Sequence, residues 1–391
     1  MSNPLAAHYS RFRVSERILL TGHSHQAWPD VAFEAQQRAW LDAAELVDDK
    51  WDRAFEQAAR VRAGFARLLG DRPENIALGQ NTHELVTRWL SALPFKTRRR
   101  IVTTTGEFHT IRRQLDRLAE EGVEIIRVPA RPVEELSVRV AREVDDQTLA
   151  VMVSSVLFET AEIVPGLNRV AAGCEAYGVP LLVDAYHHLN VVTFDVRTMG
   201  IEGAFVTGGG YKYCQLGEGN CFLRVPSETH LRPVLTGWFS EFHEFHRLGV
   251  ANRHATAVSY PSGAAAFAGA TYEPTSHYRA AAVFDFHAAQ GLTADRLRAI
   301  SVHQVGVLEN AIAALDLDPS KARVVEMPAE RRAGFLAVRS PHASDLVRAL
   351  RGEAVSADSR GDVLRLGPAP YISDEQLHEA VAKLSRVVTV L

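Results

Sequence analysis

Long apolar runs are missing from this sequence of 391 residues. Nowhere do about 18 apolar residues follow one another, the length a membrane-spanning helix needs. Met1 to Arg13 contain no apolar stretch of the kind a secretion signal carries. Cysteine is scarce: Cys174, Cys214 and Cys221 stand at scattered spacing. That excludes a disulfide framework and a cysteine zinc set, and suits a reducing, cytoplasmic setting. The net charge of −4 and pI near 6.5 leave no basic footprint for nucleic acid or an anionic membrane. There is no internal repeat, no low-complexity segment and no obvious flexible linker. Lysine is scarce too, with five lysines against 38 arginines, so each lysine asks for its own explanation.

What is present is an ordinary globular composition, 47% apolar and 23% charged, in a chain long enough for two or three lobes. Leu19 to Pro29 has no helical or strand period and reads as an ordered loop around Gly22-His23-Ser24-His25. Asp30 is placed to cap a helix through about Asp48, and Trp51 to Leu69 predicts a second helix. A β/α alternation follows. Strands are expected at 75–79, 100–104, 123–128, 149–154, 180–184 and 203–207, and helices at 84–93, 110–121, 133–144 and 167–177. Near-continuous apolar strands in this rhythm predict an α/β fold with a mostly parallel sheet, covered by helices on both faces. After residue 220 a strand returns, 236–263 is aromatic and His-rich, and strand and helix signals alternate to the end. The expected division is an N-terminal segment, 1–50, packing with the small domain, a large α/β domain, 51–280, and a small α+β domain, 281–391.

Ligands of such sheets sit at the carboxyl ends of the strands, and three candidates fall there. Gly208-Gly209-Gly210-Tyr211-Lys212-Tyr213 follows the buried run Ala204-Phe205-Val206. Glycines let the backbone turn and approach a ligand closely, and Lys212 is either an exposed turn lysine or an amine that forms a Schiff base with a carbonyl compound such as pyridoxal phosphate. Asp184 ends the apolar run 180–183, where a carboxylate needs a partner, and a protonated pyridine nitrogen would be one. Asn81-Thr82 leads a strand into a helix, which is either a routine N-cap or an anion site.

Four stretches make the chain resemble the class V aminotransferase-like branch of fold type I pyridoxal-phosphate enzymes, and kynureninases within it. These are Val183 to Asn190, Gly209-Gly210-Tyr211-Lys212-Tyr213, Gly237-Trp238-Phe239, and Val363 to Tyr371, which contains Arg365. The resemblance implies a seven-stranded, mostly parallel sheet, the cofactor pyridoxal 5′-phosphate, a small-molecule amino-acid substrate and a homodimer with shared sites. It implies Lys212 as the Schiff-base lysine and proton carrier, Asp184 at the pyridine nitrogen and Tyr211 as phosphate donor and proton relay. Asn81, Thr82 and Trp238 would lie at the phosphate, and Thr271 would reach a phosphate across the dimer. Phe108 either stacks on the ring or is core packing, and His187 either touches the ring or is a core histidine. Arg365 either takes the substrate α-carboxylate or forms a surface ion pair, and His23 and Ser24 would line the substrate side. The reaction implied is hydrolytic Cβ–Cγ cleavage of kynurenine or a related γ-keto amino acid.

Departures from the family's pattern fall on the substrate side. Phe108-His109-Thr110-Ile111 lacks the acidic residue kynureninases carry there, so no second carboxylate is expected near the ring from that position. His23-Ser24-His25 replaces an Asn-Ser-Leu loop. Glu159, Glu162 and Glu241 are extra carboxylates without an assigned place. Another class V reaction, such as β- or γ-elimination or transamination, is the alternative. His23, His25, His187, His188, His243 and His246 form no convincing ligand set, so no metal is expected.

Overall fold

The computed structural model describes residues 3–241 and 258–390. After a 3₁₀ segment, Pro4–Phe12, come a short strand, β1 (Ile18–Leu19), and two helices, α1 (Val31–Leu46) and α2 (Lys50–Leu69). Asp30 precedes α1 but does not cap it. Its carboxylate accepts from the Ser10 and Arg11 amides and the Ser10 hydroxyl, so it faces away from the helix it was expected to cap.

The large sheet is built from β2 (Ile76–Gly79), β3 (Arg100–Thr104), β4 (Glu124–Val128), β5 (Thr148–Ser154), β6 (Leu181–Asp184), β7 (Phe205–Gly209) and β8 (Cys221–Arg224). Between them run α3 (Thr82–Ser91), α4 (His109–Glu120), α5 (Leu136–Arg142) and α6 (Leu167–Ala176). The seven strands lie in the order β2-β8-β7-β6-β5-β3-β4, and β8 alone runs antiparallel to its neighbours. Every residue of β5, β6, β7 and β8 is buried, which is why these segments read as unbroken apolar runs. The helix expected over 133–144 is divided: a 3₁₀ turn, Val133–Glu135, opens it and α5 ends at Arg142. Tight first turns of this kind are common at helix N-termini.

Beyond residue 258, α7 (Thr275–Ala289) returns to pack on α1 and α2, and α8 (Ala294–Ala313) leads to a second sheet. That part contains β9 (Arg323–Val324), β10 (Leu336–Arg339), α9 (Ala343–Gly352), β11 (Val355–Ser356), β12 (Asp358–Arg360), β13 (Val363–Leu366) and α10 (Asp374–Val390). The sheet is antiparallel in the order β12-β13-β10-β9, while β11 pairs in parallel with β1. Leu5, Tyr9, Ile18 and Leu20 share one apolar core with Leu336, Leu364 and Leu384. The N-terminal segment is thus built into the core of the C-terminal sheet, and this carries the loop that follows β1 toward the large sheet. Among the described residues no helix is long and apolar enough to cross a membrane.

Candidate active site

β2, β5, β6 and β7 end at one edge of the sheet, where β8 begins. Gly79 and Gly209 both pair with Cys221, Asp184 pairs with Thr207, and Ser154 pairs with Asp184. The loops leaving these strands enclose a cavity of about 290 Å³, lined by Asn81, Thr82, Phe108, Phe158, Asp184, His187, Tyr211, Lys212 and Cys221 among others. The sheet's topology brings together residues that lie far apart in the chain.

The glycines before Lys212 serve close approach. None of Gly208, Gly209 and Gly210 has a positive φ. A Cβ on Gly209 would lie 2.1 Å from the Tyr186 hydroxyl and 2.6 Å from the Cys221 sulfur, and one on Gly210 would lie 2.5 Å from a Leu216 methyl. Side chains cannot be accommodated at those separations, so glycine keeps the lysine turn pressed against β8 and the Tyr186 loop.

Lys212 is not an exposed turn residue: it is 7% accessible. Its Nζ lies 2.6 Å from His187 Nε2 and between 5.1 and 5.9 Å from the ring centres of Phe108, Tyr186 and Tyr211. Burial, with the Arg365 charge next, pulls its pKa down from 10.5 to about 7. Burial and then the Lys212 charge keep His187 well below its ordinary value, so the neutral imidazole accepts from the amine at Nε2. The His187 Nδ1 is buried and finds no partner among the described residues.

Asp184 is buried at the tip of β6, and one of its oxygens accepts from the Tyr186 amide at 2.8 Å. Burial raises its pKa against the pull of that bond and of Lys212. A second buried carboxylate stands beside it. Glu107 accepts from the Thr104 hydroxyl at 2.6 Å and from both the Ser154 hydroxyl, at 2.6 Å, and the Ser154 amide, at 3.2 Å. Burial lifts it to about 7, its hydrogen bonds oppose this, and Asp184 adds to the rise. The acid missing from the Phe108 to Ile111 stretch is thus matched by one immediately before it. An acid in the strand-to-helix joint after Thr104 was the available signal, but its nearness to Asp184 depends on β5 lying between β3 and β6.

At the opposite wall, the Asn81 side chain caps α3 by accepting from the Glu84 amide at 2.9 Å. Thr82 is buried, and its hydroxyl lies 3.7 Å from the Cys221 sulfur. Cys221 also touches the Tyr186 hydroxyl at 3.6 Å, and burial raises its pKa. Phe108 meets Phe158 edge to face at 5.3 Å between ring centres. Tyr211 is half-buried and stacks with His25 at 4.8 Å and an interplanar angle of 17°.

The loop after β1 and the segment after β13 are joined. The Gly22 amide donates to Gly367 O, the Gly367 amide to Leu20 O, and the Ala27 amide to the Tyr371 hydroxyl. His23 lies buried in this seam, its Nε2 2.7 Å from Asp358. Burial lowers its pKa to about 4 against the pull of Asp358, so the contact is an N–H donated to a carboxylate. The Ser24 hydroxyl sits 3.1 Å from His25 Nδ1. Neither His23 nor Ser24 is among the residues lining the cavity.

Arg365 is 2% accessible, so the alternative of a surface ion pair does not hold. Its Nε and Nη2 grip both oxygens of Asp358, at 2.9 and 2.6 Å, and Nη1 donates to the Phe158 carbonyl at 2.7 Å. It supports the cavity wall from behind Phe158 and is not part of the lining. Trp238 and Thr271 also lie outside the lining. Trp238 is exposed, and its indole N–H donates to the Thr271 hydroxyl at 3.3 Å. Glu162 is tied to Arg131 and to the Thr160 hydroxyl. His243 and His246 lie outside the described residues. Among the described residues no group of histidine, cysteine and carboxylate side chains could hold a metal ion.

Residues 297–384 match the family profile of the kynureninase C-terminal domain. The sequence is 23% identical over 353 residues, 88% of either chain, to an uncharacterized aminotransferase, YcbU, of Bacillus subtilis (strain 168). The structure is similar to a mutant of C-DES with glycine covalently linked to its PLP cofactor, with a TM-score of 0.85 and 17% identity over 98% of this chain and 99% of that one. It is also similar to the apo cysteine desulfurase of Thermococcus onnurineus NA1, with a TM-score of 0.82 and 17% identity over 100% and 99% of the two chains. The fold is that of the fold type I enzymes.

Proposed function

We propose that this protein is a pyridoxal-phosphate-dependent enzyme acting on an α-amino acid, and that it carries out kynureninase-type hydrolytic cleavage of the Cβ–Cγ bond of kynurenine or a related γ-keto amino acid. The observation that carries the reading is the Lys212 amine, buried among aromatic rings, brought to about neutral pKa and held by an uncharged histidine, with Asp184 at the end of the neighbouring strand. An amine meant only for solvation is not placed this way.

The residues present fit the cofactor. Asp184 is a buried carboxylate that forms no ion pair among the described residues, as the partner of a protonated ring nitrogen should be. The start of α3 offers backbone N–H groups and the Thr82 hydroxyl to a phosphate. When bound, the cofactor condenses with an amine and serves as an electron sink for the adjoining carbon. This chain supplies the rest. Lys212 holds and moves the proton at that carbon, and His187 keeps the amine oriented by accepting its hydrogen bond. Phe108 would cover the ring, Tyr211 would donate to the phosphate, and the substrate carboxylate would face the Arg365 end, whose guanidinium is held by Asp358 and the Phe158 carbonyl behind the cavity wall.

The kynureninase assignment is supported by the C-terminal family match and the Gly-Tyr-Lys-Tyr and Arg365 segments. Release of an aryl acid and alanine from L-kynurenine or 3-hydroxykynurenine by cofactor-loaded protein tests it; loaded protein that releases neither refutes this reaction. The likeness to a cysteine desulfurase favours a second reading, β-elimination or other C–S chemistry on the same scaffold, with Cys221 on the cavity wall. Its thiol is buried, hydrogen-bonded and raised in pKa, which suits a wall better than a nucleophile, and a keto acid formed from cysteine or cystine would select this reading. We also propose a cytoplasmic homodimer. Exposed Trp40, Leu41, Val234, Leu235 and Trp238 would be covered in it, and Trp238 and Thr271 would reach the partner's phosphate; light scattering that returns a monomer mass contradicts this.

A further inference from the structure

A second cavity, of about 280 Å³, lies beside the first. Its walls come from the segments that leave β3, β4 and β5: residues 105–106, 129–131 and 157–160. It therefore opens at the same carboxyl edge of the sheet, where ligands of such folds bind. Phe158 lines both cavities. Its ring stands edge to face with Phe108 and 5.6 Å from the His109 ring. An aromatic partition thus separates two spaces of nearly equal size.

The backbone that carries Phe158 is fixed. Val156 and Ile163 form a bridge, the Leu157 amide donates to Glu162 O at 2.8 Å, and the Ala161 amide donates to Leu157 O at 2.9 Å. The Phe158 carbonyl is taken by Arg365. Only rotation of the ring about its own side-chain bonds is left to open or close the partition. Most polar groups of the second cavity are spent on one another. Thr105 Oγ1 accepts from the Ala130 amide, while Arg131 and the Thr160 hydroxyl are held by Glu162. Pro129, Ala130 and Leu157 supply apolar lining. Glu159, exposed at the rim, is an acceptor with no such tie among the described residues.

Ligand sites commonly occupy about 300–1,000 Å³. The first cavity, at about 290 Å³, has to hold a cofactor and an amino acid together, which leaves little room for a large side chain. We propose that the second cavity is the side-chain pocket of this active site: it takes a bulky, uncharged substrate side chain ending in an N–H donor, which Glu159 accepts, and the Phe158 ring governs the passage to it. This rests on the reading of the first cavity as the site of a pyridoxal-phosphate-bound amino acid, and goes beyond it in placing the side chain. It also sets a specificity, since the Glu159 charge selects against an acidic side chain.

The test titrates cofactor-loaded protein with L-alanine, L-phenylalanine and 4-amino-L-phenylalanine and follows the cofactor absorbance. Ala130→Leu, which fills the second cavity, weakens both aromatic amino acids by about tenfold or more, the scale of an aromatic side chain denied burial, and leaves L-alanine unchanged. Glu159→Trp covers the same space from the exposed rim and gives the same result should the buried substitution prevent folding. Phe158→Ala joins the cavities and moves the preference toward the aromatic amino acids. Glu159→Gln narrows the gap between 4-amino-L-phenylalanine and L-phenylalanine by about threefold or more, as a charge-assisted hydrogen bond becomes a neutral one. An L-alanine affinity that falls in step with the aromatic ones, or a preference that none of these variants moves, overturns the assignment. Protein that takes up no cofactor overturns the parent reading instead, and is recognised by the missing absorbance before any amino acid is added.

Discussion

Replacing Lys212 with methionine should make the cofactor-free protein more stable at neutral pH. Burial and Arg365 pull this amine from 10.5 to about 7, so the unfolded chain binds a proton there that the folded chain releases. For a base with a depressed pKa, stability rises with pH between the folded and unfolded values, by about 1.4 kcal/mol per pH unit. At pH 7 the deficit carried by Lys212 is about 4 kcal/mol, and it shrinks to about 2 kcal/mol at pH 9. Methionine fills much of the same space without a charge, and leaves the His187 Nε2 without its donor, which offsets about 1 kcal/mol of the gain. Urea unfolding of both proteins from pH 6 to pH 10, with cofactor removed, provides the difference curve. The expected curve starts with the variant ahead by about 3 kcal/mol near neutrality and converges as pH rises. Parallel curves would show that Lys212 keeps an ordinary pKa, and the case for a poised amine would fail with them.

Glu107→Gln should abolish a loss of stability that wild type suffers between about pH 4.5 and 7, because an acid raised to about 7 by burial favours the folded state below that window and loses the advantage through it; the loss is about 3 kcal/mol at most, and equal pH slopes in the two proteins refute the placement. Gly209→Ala should cost about 1–3 kcal/mol or more, since its Cβ would sit 2.1 Å from the Tyr186 hydroxyl, and an unchanged Tm argues against close approach as the reason for glycine there. Asp71→Asn should cost about 3–5 kcal/mol by leaving the buried Arg224 guanidinium, now 2.5 Å from that carboxylate, without its counter-charge; a loss below about 1 kcal/mol in urea unfolding contradicts this.

Much of the large sheet was legible because its central strands are buried on both faces and leave unbroken apolar runs, and because each ends in a residue that breaks the run. Asp184 and Lys212 stand out for that reason, as polar groups where apolar ones stop. In the C-terminal part the apolar strands β10 and β13 were legible as well, whereas the shortest ones, β9, β11 and β12, left no such trace. β12 is Asp358-Ser359-Arg360, polar throughout, and becomes a strand only because β13 supplies a partner. With β12 hidden, the grip of Asp358 on Arg365 was hidden too. Glu107 was overlooked for a different reason: its neighbour Asp184 is 77 positions away in the chain and close only through the order of β3, β5 and β6. Trp238 and Thr271 found each other outside the cavity, an arrangement that local pattern carries no information about. Asp30 looked like a cap because of its position, while the donors that claimed it come from a segment about twenty residues earlier.

The most direct measurement is to load the protein with pyridoxal phosphate, reduce it with borohydride, and map the modified peptide by mass spectrometry. A pyridoxyl group is expected on Lys212, with none on Lys50, Lys96, Lys321 or Lys383 and none in Lys212→Ala. A label spread over the other lysines, or one that persists in Lys212→Ala, contradicts it.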